Sequence, residues 1–252
     1  MSTLELRGIT VERGGRPVVK DVSIAVPAGE VTALLGPNGA GKSSLVLAVG
    51  GVLRPRPGSV SLDGIELAGR RPEKIRAAGL AIVPEGRRLL SDLTTQDNIT
   101  VATYALSKAV AAEGRARALE LFPRLEARLN VPARLLSGGE QQMLVLAQAL
   151  VSQPKYLVID ELSLGLAPVV VSQLIPVLRT VAESGVGILL IEQFATVALS
   201  LATGAYVMEG GVIRYEGNAA ELRDRPELLH SAYLLRGAGA ADGGAERASG
   251  AN

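Results

Sequence analysis

Gly36-Pro37-Asn38-Gly39-Ala40-Gly41-Lys42-Ser43 is a run whose residue types suit one task, holding the phosphates of a nucleotide. The glycines permit a tight turn with inward-facing N–H groups, and Lys42 reaches the β- and γ-phosphates from the start of a helix. The Ser43 hydroxyl is expected to hold Mg²⁺, and a helix over 42–49 adds the positive end of its dipole. Glycine-rich turns precede helices in many α/β folds, but the full pattern between an apolar strand and a helix points to nucleotide. A second set, Asp160 and Glu161, follows the apolar run Leu157-Val158-Ile159. Adjacent carboxylates at a strand's C-terminal end are expected to divide the work: Asp160 serves the Mg²⁺ shell through water, and Glu161 polarises the attacking water. The third set is Ser137-Gly138-Gly139-Glu140. Ser137 suits a helix cap, Glu140 completes a capping box, and the glycines leave bare N–H groups that favour an anion. A local cap explains Ser137 and Glu140 but not Gly138, Gly139, Gln141 and Gln142. One phosphate site is already complete within the chain, so the anion expected there is the γ-phosphate held by a second such chain.

These residues need a scaffold, and the patterning supplies one. Runs of β type over 4–11, 18–26 and 59–62, broken by Gly14-Gly15, Pro27-Ala28-Gly29 and Asp63-Gly64, predict an antiparallel sheet bordering the base. A strand over 30–35 leads into the phosphate loop. Runs over 80–83, 156–160 and 187–191 alternate with helical stretches such as 140–150 and 169–182, and a hairpin over 205–208 and 212–215 ends the core. In such α/β sheets the C-terminal strand ends gather beside the ligand. Residues 95–135 read as almost wholly helical, with 111–129 carrying apolar Ala116, Leu119, Phe122 and Leu125. This interval predicts an inserted helical subdomain, the alternative being one more face of a single core.

Composition agrees with a sizeable core: 252 residues, 48% apolar and 20% charged, with two phenylalanines and no tryptophan, so small aliphatics must fill it. A net charge of +1 and the lack of any basic-aromatic run exclude nucleic acid as an expected partner. The N-terminus, Met1-Ser2-Thr3-Leu4-Glu5, lacks a signal pattern, and the chain has no cysteine, so cytosolic residence is expected. No apolar run reaches membrane-spanning length, and membrane work would need a partner. Residues 237–252, rich in Ala, Gly and Ser, are expected to form a mobile tail without chemistry.

On these motifs the sequence resembles the ATP-binding subunits of ABC transporters, over residues 4 to about 236. The resemblance assigns Gly36 to Ser44, including Pro37, Asn38 and Ala40, to the Walker A loop, 136–142 to the signature, 156–161 to Walker B and 163–167 to the D-loop. Within the family it resembles the second ATPase subunit of branched-chain amino acid importers, through Val83-Pro84-Glu85-Gly86-Arg87-Arg88, Ser163-Leu164-Gly165-Leu166-Ala167-Pro168 and Ile191-Glu192-Gln193. The fold implied is an α/β P-loop NTPase core with a flanking antiparallel β subdomain and a helical subdomain inserted at about 86–150, one domain over 1–236. The function implied is ATP hydrolysis powering branched-chain amino acid uptake, with ATP and Mg²⁺. Implied partners are a second ABC ATPase subunit, identical or not, two membrane-spanning permease subunits and an extracytoplasmic solute-binding protein, at the cytoplasmic face of the membrane. Alternatives are an importer of an amide or urea, or a nontransport regulatory or structural ATP-binding protein.

Several positions depart from the broad family pattern. Glu85 stands where a lid glutamine is usual and could bind Mg²⁺ or water. Gln193 replaces the switch histidine; it can position a γ-phosphate but not act as an acid or base near neutral pH. The single histidine, His230, lies outside every motif. Arg13 falls where an aromatic side chain stacks on adenine; a guanidinium can stack on a purine or simply be solvated. Leu162 replaces a proline and is expected to loosen the turn after Glu161, and Ala167 replaces a frequent aspartate.

Overall fold

Residues 2–229 are described in this computed structural model; His230 and the tail expected over 237–252 lie outside the described residues. The chain begins with β1 (Thr3–Arg13), β2 (Arg16–Pro27), β3 (Val31–Leu35), α1 (Lys42–Val49), β4 (Ser59–Leu62), β5 (Ile65–Glu66), α2 (Pro72–Ala77) and β6 (Leu80–Val83). Helices follow: α3 (Thr95–Ala102), α4 (Lys108–Leu121), α5 (Pro123–Glu126) and α6 (Gly138–Leu150). The chain then returns to alternation with β7 (Tyr156–Asp160), α7 (Pro168–Glu183), β8 (Gly187–Glu192), α8 (Ala195–Leu201), β9 (Gly204–Glu209), β10 (Val212–Asn218) and α9 (Ala219–Asp224).

Two sheets result, in the orders β2-β1-β4-β5 and β10-β9-β3-β8-β7-β6. The first is antiparallel and buries one side chain in two along much of β1, the expectation for a sheet with one wet face. In the second, β9, β3, β8, β7 and β6 are parallel, and β3, β7 and β8 are buried at every position. Such strands must be apolar on both faces, which is why they read as continuous runs. Alternate residues part company: Leu34, Val158, Leu189 and Ile191 pack with α1 and the antiparallel sheet. Ala33, Leu35, Leu157, Ile159 and Leu190 pack with the helices on the other side. Gly187 lies under the Tyr156 ring, where an added Cβ would stand 2.5 Å from ring carbons.

The helical interval corrects one expectation. There is no continuous helix over 111–129: α4 stops at Leu121, Phe122 takes φ −128°, and Pro123 opens the one-turn α5. Nor is Ala116 part of the buried face. Gly114 and Ala118 are buried instead, because a Cβ at Gly114 would lie 2.0 Å from the Val151 carbonyl oxygen and only glycine lets α4 approach there. Ile99, Ala118, Phe122 and Leu125 join the same hydrophobic cluster as Leu157 and Ile159. Thr94 caps α3 through a reciprocal box with Asp97. Among the described residues no helix is long and apolar enough to cross a membrane.

Candidate functional site

Because β3, β6, β7 and β8 run parallel, the segments leaving their C-terminal ends open on one edge: the phosphate loop, the Glu85 loop, Asp160-Glu161 and Glu192-Gln193. The phosphate loop is clamped by backbone. A Cβ at Gly36 would lie 2.3 Å from the Met208 carbonyl oxygen, and one at Gly41 would lie 2.4 Å from that of Val18. Gly41 also takes φ +108° and caps α1 without a side chain, so the first-turn N–H groups stay available to an anion. Lys42 is buried and its Nζ donates to the carbonyls of Gly36 (2.8 Å) and Pro37 (3.1 Å). Burial pushes its ammonium below the ordinary value, opposed by Glu161, Asp160, Glu192 and Glu85. Four carboxylates thus surround one lysine, and a bare triphosphate would meet net negative charge there.

Asp160 is 4% exposed, and burial, then Glu161 and Glu85, push its carboxyl up to about 6; Lys42 and a hydrogen bond from Ser43 pull the other way. Its Oδ1 has no hydrogen-bond partner among the described residues. A buried, orphaned carboxylate oxygen beside a serine hydroxyl fits a hard divalent cation that draws its remaining ligands from phosphate and water. Among the described residues no group of three or more His, Cys, Asp or Glu side chains is placed to hold a metal ion by itself.

Glu161 takes φ +56°, and its N–H donates to the Ile191 carbonyl at 2.9 Å, tying the turn to β8. Leu162, which replaces a proline in this turn, is fully buried in the core cluster among the helices, so its side chain packs the turn against them. Ala167 offers α7 no cap bond, and Pro168 begins the helix. Gln193 is half-buried, Glu85 is exposed, and Arg13 is exposed at the end of β1, paired in register with Arg16.

Ser137 accepts from the Glu140 N–H at 3.3 Å and donates its own N–H to Glu140 at 2.8 Å, closing the capping box. Arg128 adds an ion pair at 3.0 Å, and together these hold the Glu140 carboxyl below its ordinary range, the Ser137 N–H being the largest cause. The atoms nearest Gly138 and Gly139 come from Arg87, Leu166 and Val170, not from the phosphate loop. Within one chain, then, the structure does not bring 137–140 onto Lys42.

Glu192 has a place in the family resemblance, but the sequence assigned it no role in the site. It is 1% exposed and accepts from the Ser163 N–H (3.0 Å) and hydroxyl (2.8 Å); burial raises its pKa. Its signal is the one that marked Asp160, a carboxylate closing an apolar strand.

A model of the ABC transporter family matches residues 19–163. The chain is 42% identical to the high-affinity branched-chain amino acid transport ATP-binding protein BraG of Pseudomonas aeruginosa over 214 residues, 85% of this chain and 91% of that protein. It is 29% identical to the lipopolysaccharide export system ATP-binding protein LptB of Escherichia coli, over 93% of this chain and 98% of LptB. The ADP conformation of MJ1267, an ATP-binding cassette of an ABC transporter, matches with a TM-score of 0.82 over 91% of this chain and 98% of that one, at 24% identity, a likeness of fold.

Proposed function

The chain belongs to the ABC transporter family as an ATP-hydrolysing subunit, and from that premise we propose that it powers uptake of branched-chain amino acids. The observation carrying the solute class is the 42% identity to BraG over nearly its full length, against 29% to LptB. The described residues serve as one ATPase domain, with about 86–150 as its helical insertion, at the cytoplasmic face of the membrane. Its partners are a second ABC ATPase subunit, two permease subunits and an extracytoplasmic solute-binding protein.

In this reading the N–H groups of Gly36 to Ser44 cradle ATP phosphates, and Lys42 exchanges its loop carbonyls for phosphate oxygens. Ser43 and Asp160, assisted by Glu85, would hold Mg²⁺, which would supply positive charge beside the phosphates where the nearby carboxylates do not. Glu161 accepts a hydrogen bond from the attacking water, aligning it in line with the γ-phosphate. Gln193 donates its amide to the γ-phosphate and positions without transferring a proton. Ser137, Gly138, Gly139 and Glu140 close over a nucleotide on the second subunit, and Arg13 borders the base. Deleting this chain from its host is expected to abolish uptake of labelled leucine, isoleucine and valine and leave lipopolysaccharide export intact. Undiminished uptake of all three would refute the solute assignment.

A further inference from the structure

We propose that Arg87 is a positioning residue that ties the loop after β6 both to the signature helix α6 and to the turn after Glu161. It follows Glu85 and Gly86 on that loop, and its guanidinium reaches two separate elements. Nε donates to Oε1 of the buried Gln142 on α6 at 3.2 Å, and Nη2 donates to the Leu164 carbonyl at 2.8 Å. Nη1 lies 3.1 Å from where a Cβ of Gly138 would stand, so that glycine leaves room for the guanidinium. Arg87 makes no ion pair with a carboxylate among the described residues. Its planar fork is used for geometry, meeting two neutral acceptors on different elements from two separate nitrogens, where a lysine would have to meet both from one.

Two strained residues meet through this tie. Arg87 takes φ +44° and Glu161 φ +56°, a region where non-glycine residues persist when surroundings fix them. Leu164 links the two: its N–H approaches the Glu161 carbonyl at 3.5 Å while its own carbonyl accepts from Arg87. A cleft of about 300 Å³ bordered by Arg87, Gln142, Glu161 and Gly165 lies beside the tie. Displacing the 84–88 loop therefore pulls on Glu161 and on the Gly138 end of α6 at once. This inference rests on the assignment of Glu161 as the water-orienting carboxylate.

The test is amide hydrogen exchange on the full-length chain, wild type against Arg87→Ala, joined to ATP turnover in the partnered assembly. Exchange is expected to rise about tenfold at 138–142 and 163–166 together, with α1 and β7 unchanged. A rise confined to 84–89, or none, overturns the tie. Turnover is expected to fall about tenfold in kcat with KM for ATP within about twofold, and millimolar guanidinium, but not equal sodium chloride, is expected to restore part of it. Wild-type kcat in Arg87→Ala alongside an inactive Glu161→Gln overturns the tie and spares the Glu161 assignment. An active Glu161→Gln overturns that assignment, and the exchange pattern then decides the tie. If Arg87→Ala does not fold, Arg87→Gly, at ease with φ +44°, is read by the same criteria.

Discussion

Asp160 is held where its charge is disfavoured, and that strain has a measurable sign. Its carboxyl is raised from 3.8 to about 6, chiefly by burial, so the folded, nucleotide-free protein binds the proton more tightly than the unfolded chain does. The stabilising contribution is present below pH 4 and is lost as pH rises through the window from 3.8 to about 6. Asp160→Asn is therefore expected to stabilise the nucleotide-free protein at pH 7.5 by on the order of 2–3 kcal/mol, the gain shrinking toward pH 4. The same change should remove Mg²⁺-dependent turnover, the trade between stability and function that active sites show. Thermal melts at both pH values and a turnover assay check this. A variant no more stable than wild type at pH 7.5 would mean that Asp160 is not under electrostatic strain.

The elements place these groups, and two are delicately set. α6 begins on the Ser137–Glu140 box, so Ser137→Ala is expected to cost about 1 kcal/mol, or roughly 2–4 °C in melting temperature. Because the Glu140 carboxyl is held low, chiefly by the Ser137 N–H that alanine would keep, its contribution is present above its unfolded pKa and lost on acidification, so the penalty of Glu140→Ala should shrink as Glu140 protonates. A Glu140→Ala penalty independent of pH would remove the Glu140 carboxylate from the cap. At α1, Gly41→Ala would drive a Cβ against the Val18 carbonyl at φ +108°; binding of a fluorescent ATP analogue is expected to be lost, and unchanged affinity would contradict the clamp on the loop. Much of this scaffold was legible: α1, β4, β6 and β7 begin and end where local patterning sets them. Contacts between distant residues were not. Close approach of Gly114 to Val151 turned α4 so that Ala116 faces out, and Arg87 gains its contacts 55 and 77 positions away, beyond any local period. The burial of Leu162 was hidden for the same reason, since the core that packs around it is assembled from α6, α7 and the insertion.

For the whole molecule, the geometry leaves each chain with one phosphate loop and one helix end, 137–140, whose glycines lie nearest Arg87, Leu166 and Val170 and not that loop. In the proposed function, two chains pairing head to tail would satisfy both, and ATP with its cation would supply the charge balance at Lys42, where Glu161, Asp160, Glu192 and Glu85 all act. Turnover should consequently rise with addition of the second ATPase subunit rather than stay constant per chain. The most direct measurement compares ATP hydrolysis and ATP-dependent association of wild type and Glu161→Gln in that pairing. With Glu161 in the proposed water-orienting role, its loss is expected to lower turnover about 10²–10⁴-fold while ATP binds and the paired state accumulates. Turnover by Glu161→Gln at the wild-type rate would contradict the account.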